Sequence, residues 1–201
     1  MIRVVIAEDQ QMLRGALTSL LQLEDDIDVV AQVSNGEDAL DAIERHQPDI
    51  SILDIEIPGM TGLDVAEQIR QRGIGTKIMI VTTFVRPGYL QKAMDLKVDG
   101  YVLKDEPIDE FVGAIRKIMN GGRVVSPDLI EALFNREENP LTEREQEVLR
   151  LAKEGKTTRQ MAKTLYLSYG TVRNYLSSAI QKLEAESRHH AVLIAEEKGW
   201  I

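Results

Sequence analysis

Short apolar runs alternate with helix-spaced apolar stripes along the first 120 residues. Ile2–Ala7 is apolar and rich in β-branched residues, which predicts a strand. Met12–Leu23 places apolar residues at 13, 16, 17, 20 and 21, the spacing of one helix face. Asp28–Val33 predicts a second strand, and Gly36–Arg45 a helix with Ala39, Leu40 and Ile43 inward. Asp49–Asp54 is apolar at Ile50, Ile52 and Leu53 and ends in a carboxylate. It reads as a buried parallel strand, a choice that periodicity alone does not settle. Leu63, Ala66 and Ile69 mark a third helix and Lys77–Thr82 a fourth strand. Pro87–Met94 is a short helix whose proline suits a first turn. Tyr101–Lys104 is a fifth strand, followed by a helix over Pro107–Met119 with Phe111, Ile115 and Ile118 inward.

Five strand–helix alternations predict an α/β domain over residues 1–120: a five-stranded parallel, flavodoxin-like sheet with helices on both faces. Pro58–Gly59 and Gly62 turn the chain just after Asp54. Asp54 therefore stands at the carboxyl end of its strand, the edge where open α/β sheets place ligands. Glu8, Asp9, Thr82 and Lys104 fall at the same edge. Three acids, a hydroxyl and an ammonium thus share one crevice.

Beyond Asn120–Gly121–Gly122 the pattern changes. Ser126–Asn135 reads as a short helix, Arg136–Pro140 as polar linker, and 121–139 as the stretch between domains. Residues 140–201 are all helical in pattern. Thr142–Glu145 is a capping box, and Gly155 stops the helix that it opens. Thr158 is placed to cap Arg159–Thr164, Ser168 a helix running to about Leu183, and Ser187 one ending at Gly199. A short helix, a tight turn and a longer basic helix make a helix-turn-helix pattern.

Charge sharpens this division. The net charge of −9 falls entirely on residues 1–120, and the rest of the chain is balanced. Residues 156–183 hold Lys156, Arg159, Lys163, Arg173 and Lys182 and no acid, which suits phosphate contact; a solvated helical face is the alternative. The chain has no Cys and three scattered His, which excludes disulfides and thiolate or His-rich metal sites. The amino-terminal run is too short and acid-ended for a signal peptide, and no run approaches membrane-spanning length. A cytoplasmic location with no membrane partner is expected.

Clustered carboxylates repel and require a cation. Oxygen-only ligands favour Mg²⁺. An Asp beside Mg²⁺ can attack phosphorus, with Lys104 and Thr82 meeting the charge on the phosphoryl oxygens.

Glu8–Asp9, Asp54, Thr82 and Lys104, in this order and at these strand ends, resemble the receiver domain of bacterial two-component response regulators. The resemblance implies phosphoryl transfer to Asp54 from a sensor histidine kinase. It implies Mg²⁺ on Glu8, Asp9, Asp54 and the Glu56 carbonyl, and Tyr101 as an aromatic switch that turns inward as Thr82 moves to the phosphate; a plain strand-edge aromatic is the alternative for Tyr101. Two positions depart from the family pattern. Asp105 replaces a common proline, which loosens the turn after Lys104, and Thr83 replaces a small residue, which crowds the phosphate. Leu141–Glu145, Gly155, Ala162 and Thr171–Tyr175 resemble the LuxR/NarL-type helix-turn-helix domain. Arg173, Asn174 and Ser177 are placed to reach base edges, and Lys156, Arg159, Lys163, Thr171 and Lys182 to reach phosphates.

The combination resembles the NarL/FixJ family. Within it, Ile6–Leu13 and Thr82–Tyr89 resemble regulators linked to membrane lipid desaturation in Gram-positive bacteria. The implied partners are the kinase, double-stranded promoter DNA, RNA polymerase, and a second copy of the chain on phosphorylation. Leu13, Leu17, Phe111, Ile115 and Ile118 are candidates for that pairing surface, with core packing as the alternative. Two rival functions are open to the residues. Asp54–Ile55–Glu56 resembles the nucleophile motif of haloacid-dehalogenase-type phosphatases, although those place it after their first strand. LuxR-type DNA domains also follow small-molecule-sensing domains, which need an apolar cavity.

Overall fold

The computed structural model describes residues 1–83, 86–134 and 139–201. Phe84–Val85 and Asn135–Glu138, part of the sequence motifs above, lie outside the described residues, so the expected end of the Ser126–Asn135 helix lies there too. The described residues form two compact units, one of residues 1–83 and 90–134 and one of residues 86–89 and 139–201.

The first unit is a parallel sheet of β1 (Ile2–Ala7), β2 (Ile27–Val33), β3 (Ile50–Asp54), β4 (Lys77–Thr82), β5 (Gly100–Leu103) and β6 (Val124–Val125). The strand order is β2-β1-β3-β4-β5-β6. Between the strands run α1 (Gln11–Leu21), α2 (Gly36–His46), α3 (Gly62–Gln71), α4 (Pro87–Asp95) and α5 (Ile108–Met119), and α6 (Pro127–Phe134) follows β6. Both sheet faces are covered, which is why the strands read as continuous apolar runs. Val4, Ile6, Ile50, Ile52, Met79, Val81 and Val102 pack with Leu21, Phe111, Val112, Ile115 and Ile118 in one core. On α2 and α3, Ala39, Leu40, Ile43, Leu63, Ala66 and Ile69 are also buried.

Two expectations change. The sheet has six strands, not five, because Val124–Val125 adds in parallel to Gly100–Tyr101. Consequently Val124–Phe134, read as linker, belongs to the first unit. Two valines have no periodicity to read, and the turn at Gly121 (φ +84°) brings them back to the sheet. The expected pairing surface also divides. Phe111, Ile115 and Ile118 are core residues. Surplus apolar surface is on and around α1: Met12 is 87% and Leu20 41% exposed, and Leu13 and Leu17 are half-buried.

The second unit is α7 (Glu143–Lys153), α8 (Thr158–Thr164), α9 (Tyr169–Lys182) and α10 (Arg188–Glu197). Val148, Leu149, Met161, Val172, Leu176, Ala179, Ala191 and Ala195 form its core. Helix α8 starts one residue earlier than expected. Thr157, not Thr158, caps it, because Gln160 answers the Thr157 amide and completes a capping box. Among the described residues no helix is long and apolar enough to cross a membrane.

Candidate functional site

Parallel register brings the strand-end residues together. Ala7 pairs with Leu53, Asp54 with Val81, and Thr82 with Leu103. Glu8, Asp54 and Thr82, each about one twenty-fifth exposed, therefore line one edge, with Lys104 one residue past β5. The Lys104 Nζ lies 2.7 Å from Glu8 Oε2 and 3.0 Å from Asp54 Oδ2. The Glu56 amide donates to Asp54 Oδ1 at 3.3 Å, and the Gln10 amide to Glu8 Oε1 at 3.1 Å. The Lys104 amide donates to the Thr82 carbonyl at 2.8 Å, so two predicted site residues are held by one ladder bond.

Carboxylate oxygens of Glu8, Asp9 and Asp54 lie within 4.8 Å of one another. Glu8 and Asp54 are buried and Asp9 is exposed, so the cluster faces outward through Asp9. Burial raises the Glu8 pKa above its ordinary value; the Lys104 hydrogen bond opposes the rise and the Asp54 charge adds to it. Burial also works against the Lys104 ammonium, but its bonds to Glu8 and Asp54 outweigh burial and raise its pKa. The ammonium thus offsets two carboxylates. The hard, oxygen-only donor set suits a small divalent cation.

A small cleft lined by Asp9, Gln10, Asp54, Glu56, Thr82, Thr83 and Lys104 opens on this cluster. Thr83 stands exposed at its rim, where the sequence placed a crowding residue. Asp105 in place of proline leaves Lys104 seated on both carboxylates. The loop below Asp54 depends on glycine: a Cβ on Gly62 would sit 2.1 Å from the Asp54 carbonyl oxygen. Tyr101 is only 1% exposed, so any switch from this arrangement is an outward movement.

Sequence reasoning missed several supports. Arg14 donates to the Glu8 carbonyl at 2.5 Å. The Ser126 hydroxyl bonds to the Leu103 amide and the Glu106 carboxylate beside Lys104. No periodicity signals a polar residue that is recruited from outside the motif.

In the second unit, Arg173, Asn174 and Ser177 are exposed on α9, opposite its buried Val172, Leu176 and Ala179. Arg159 and Lys163 are exposed on α8 and Lys156 is half-buried before it. Two expected phosphate contacts have other partners. The Thr171 hydroxyl lies 2.8 Å from that of Ser168, the α9 cap, and Lys182 Nζ lies 2.7 Å from Glu145 Oε2. Glu145 is 3% exposed and also accepts from Ser178 and from the Thr142 amide. These bonds fix the start of α7 to α9. Lys182, Ser178 and Thr142 together overcome burial and hold the Glu145 carboxyl down at about 2. Tyr166 in the turn before α9 is 96% exposed and Tyr169 at the α9 start 52%.

The comparisons agree with this geometry. Residues 4–116 match the family described as "Response regulator receiver domain", and 139–195 match "Bacterial regulatory proteins, luxR family". The chain is 56% identical to the uncharacterized transcriptional regulatory protein YvfU of Bacillus subtilis (strain 168). It is 52% identical to the transcriptional regulatory protein DesR of the same organism, and both alignments cover all of each chain. Among solved structures it resembles the response regulator ChrA of a heme-sensing two-component system, at 30% identity and TM-score 0.60, covering 100% of this chain and 98% of that one. A LuxR-family DNA-binding response regulator from Staphylococcus aureus matches at 48% identity and TM-score 0.58, covering 60% of this chain and 100% of its own. These likenesses favour neither a phosphatase nor a small-molecule-sensing regulator. With a receiver crevice and a helix-turn-helix unit on one chain, this protein belongs to the LuxR-type two-component response regulators, which act on transcription.

Proposed function

We propose that Asp54 is the phosphoacceptor and that its modification controls DNA binding by the second unit. The observation that carries this reading is the buried Asp54 carboxylate, 3.0 Å from the Lys104 ammonium and in one cluster with Glu8 and Asp9. An Asp54 oxygen attacks the phosphorus of a phosphohistidine on a sensor kinase. The P–N bond breaks, the imidazole leaves, and an acyl phosphate forms. Lys104 and the Thr82 hydroxyl meet the phosphoryl oxygens. Glu8, Asp9, Asp54 and the Glu56 carbonyl would hold Mg²⁺, which when bound neutralises charge on the incoming group. Attack of water on the phosphorus breaks the P–O bond to Asp54, releases inorganic phosphate and returns the carboxylate, so the chain resets itself. Tyr101, already inward here, is the switch coupled to Thr82, and it moves outward when Thr82 leaves the phosphoryl oxygens.

Arg173, Asn174 and Ser177 read bases, while Lys156, Arg159, Lys163 and Thr171 contact phosphates. Lys182 is better supported as the anchor of Glu145 than as a phosphate contact. Phosphorylated chains pair through the apolar α1 face and bind two half-sites, since one helix-turn-helix reads few base pairs. RNA polymerase is then the downstream partner, in the cytoplasm.

The test is covalent labelling by acetyl phosphate with Mg²⁺, read by mass spectrometry of the peptide containing Asp54. Asp54→Ala should abolish the label. Undiminished labelling of that variant would remove the assignment. Sedimentation with and without beryllofluoride should show a monomer becoming a dimer. Identical masses would remove pairing as the readout.

A further inference from the structure

Ser126 is the first residue after β6 and lies immediately before α6. It is 2% exposed. A serine at a helix start ordinarily spends its hydroxyl on amides of the first turn. Here that work falls to the Ser126 backbone carbonyl, which accepts from the Leu129 and Ile130 amides at 3.0 and 3.2 Å. The hydroxyl is turned the other way. It accepts from the Leu103 amide at 3.1 Å and donates to the Glu106 carboxylate.

These two partners flank Lys104. The β5–β6 ladder ends at Tyr101 and Val125, with the Ser126 amide donating to the Tyr101 carbonyl at 3.0 Å. Past that point the Ser126 side chain substitutes for the missing strand. Successive amides in a strand point to opposite sides. Accordingly the Lys104 amide goes to Thr82 on β4, and the Leu103 amide goes to Ser126. The backbone carrying the Lys104 ammonium is therefore gripped from both sides. One grip is a residue of the crevice, and the other is the root of α6. Leu129, early in α6, is fully buried, and α6 belongs to the first unit.

We propose that Ser126 is a positioning residue for Lys104, and that through it the segment Val124–Phe134, which precedes the DNA-binding unit in the chain, is coupled to the state of Asp54. This rests on the reading of Asp54 as phosphoacceptor. When Lys104 exchanges its Glu8 and Asp54 partners for phosphoryl oxygens, the Leu103–Glu106 turn adjusts, and the Ser126 hydroxyl carries the adjustment to the start of α6. Coupling is reciprocal, so loosening Ser126 also perturbs Lys104.

The test is amide hydrogen exchange on the full chain, with and without beryllofluoride and Mg²⁺. In the wild-type chain, exchange over 124–134 should change when beryllofluoride binds. Ser126→Ala should abolish that change while the peptide carrying Asp54 is still protected, and should slow labelling by acetyl phosphate roughly tenfold. Glu106→Ala reaches the same hydroxyl from its acceptor side and should weaken the response in the same direction, which preserves the test if Ser126→Ala does not fold. A purely structural Ser126 would raise exchange equally in both states; that result, or an unchanged response in both variants, overturns the proposal. So does a wild-type chain that captures beryllofluoride with no change over 124–134. A wild-type chain that captures neither phosphoryl group nor beryllofluoride overturns the phosphoacceptor reading and this coupling together, and is recognised because it fails before any substitution is made.

Discussion

The two working surfaces solve opposite electrostatic problems. In the receiver crevice the chemistry-bearing charges are withdrawn from water and paired with one another. Glu8 and Asp54 share Lys104, and each side chain is less than one tenth exposed. On the helix-turn-helix the charges proposed to meet DNA stay in water, and only one partner of the Glu145–Lys182 pair is withdrawn: Glu145 is buried while the Lys182 side chain is 35% exposed. Phosphoryl transfer needs fixed dipoles in a dry site, whereas DNA contact needs solvated side chains that release counterions. An acid–lysine contact thus lies within the proposed phosphoacceptor cluster in one unit and joins two helices in the other.

Breaking each pair separates the two roles. The largest effect is expected from Lys104→Ala, which leaves two carboxylates buried without their cation. It should cost about 3–5 kcal/mol of receiver stability at neutral pH. Denaturant titration followed by circular dichroism would measure it. Added Mg²⁺ should recover part of the loss. The deficit should also shrink as pH falls, because burial raises the Glu8 pKa and a raised carboxyl is neutralised earlier in the folded state. A deficit indifferent to both Mg²⁺ and pH would mean that Lys104 is only packing.

Glu145→Gln tests the other pair, and should cost about 2 kcal/mol of second-unit stability. Trp200, the one tryptophan, packs against the second core and reports that unit selectively. Glu145 is held at about 2 in the folded state, below the ordinary glutamate value of 4.5. Its contribution is therefore complete above about 4.5 and is lost as pH falls from there toward about 2. In Glu145→Gln this acid-sensitive portion should disappear from the Trp200 transition.

The same contrast decides what the sequence could convey. Strand ends are legible because an apolar run that stops in Asp54, Thr82 or Lys104 marks both the element and its polar edge. Helix starts at Thr142 and Ser168 are legible because capping chemistry is local. The supports are illegible for the reason that they are remote. Glu145 meets Ser178 and Lys182 across 33 and 37 residues, and Ser126 meets Leu103 across 23. Lys182 shows what local reading leaves out: it is basic and ends α9, and its ammonium pairs with Glu145, an acid 37 residues away. Of the two helices that offer an apolar surplus in the sequence, only α1 exposes it, while core packing, the alternative, holds on α5; only packing distinguishes Phe111 in the core from Met12 in water.

Smaller effects are expected at the exposed surface. Arg173→Ala and Asn174→Ala should each lose roughly 1–3 kcal/mol of discrimination at one base position. Lys163→Ala should weaken all duplexes alike and reduce the slope of log affinity against log salt by about 0.9. Anisotropy titrations on matched and scrambled duplexes would separate the two behaviours. If Lys163→Ala altered base preference and Arg173→Ala did not, α9 would not be the helix in the groove.

The account's central claim is that the state of Asp54 sets the affinity of the second unit for DNA. It is tested most directly by titrating a duplex, selected by the protein from random sequence, with the full chain in the presence and absence of beryllofluoride and Mg²⁺. The account predicts roughly tenfold or greater tightening in the wild-type chain and none in Asp54→Ala. Equal affinity in both states of the wild-type chain would contradict it.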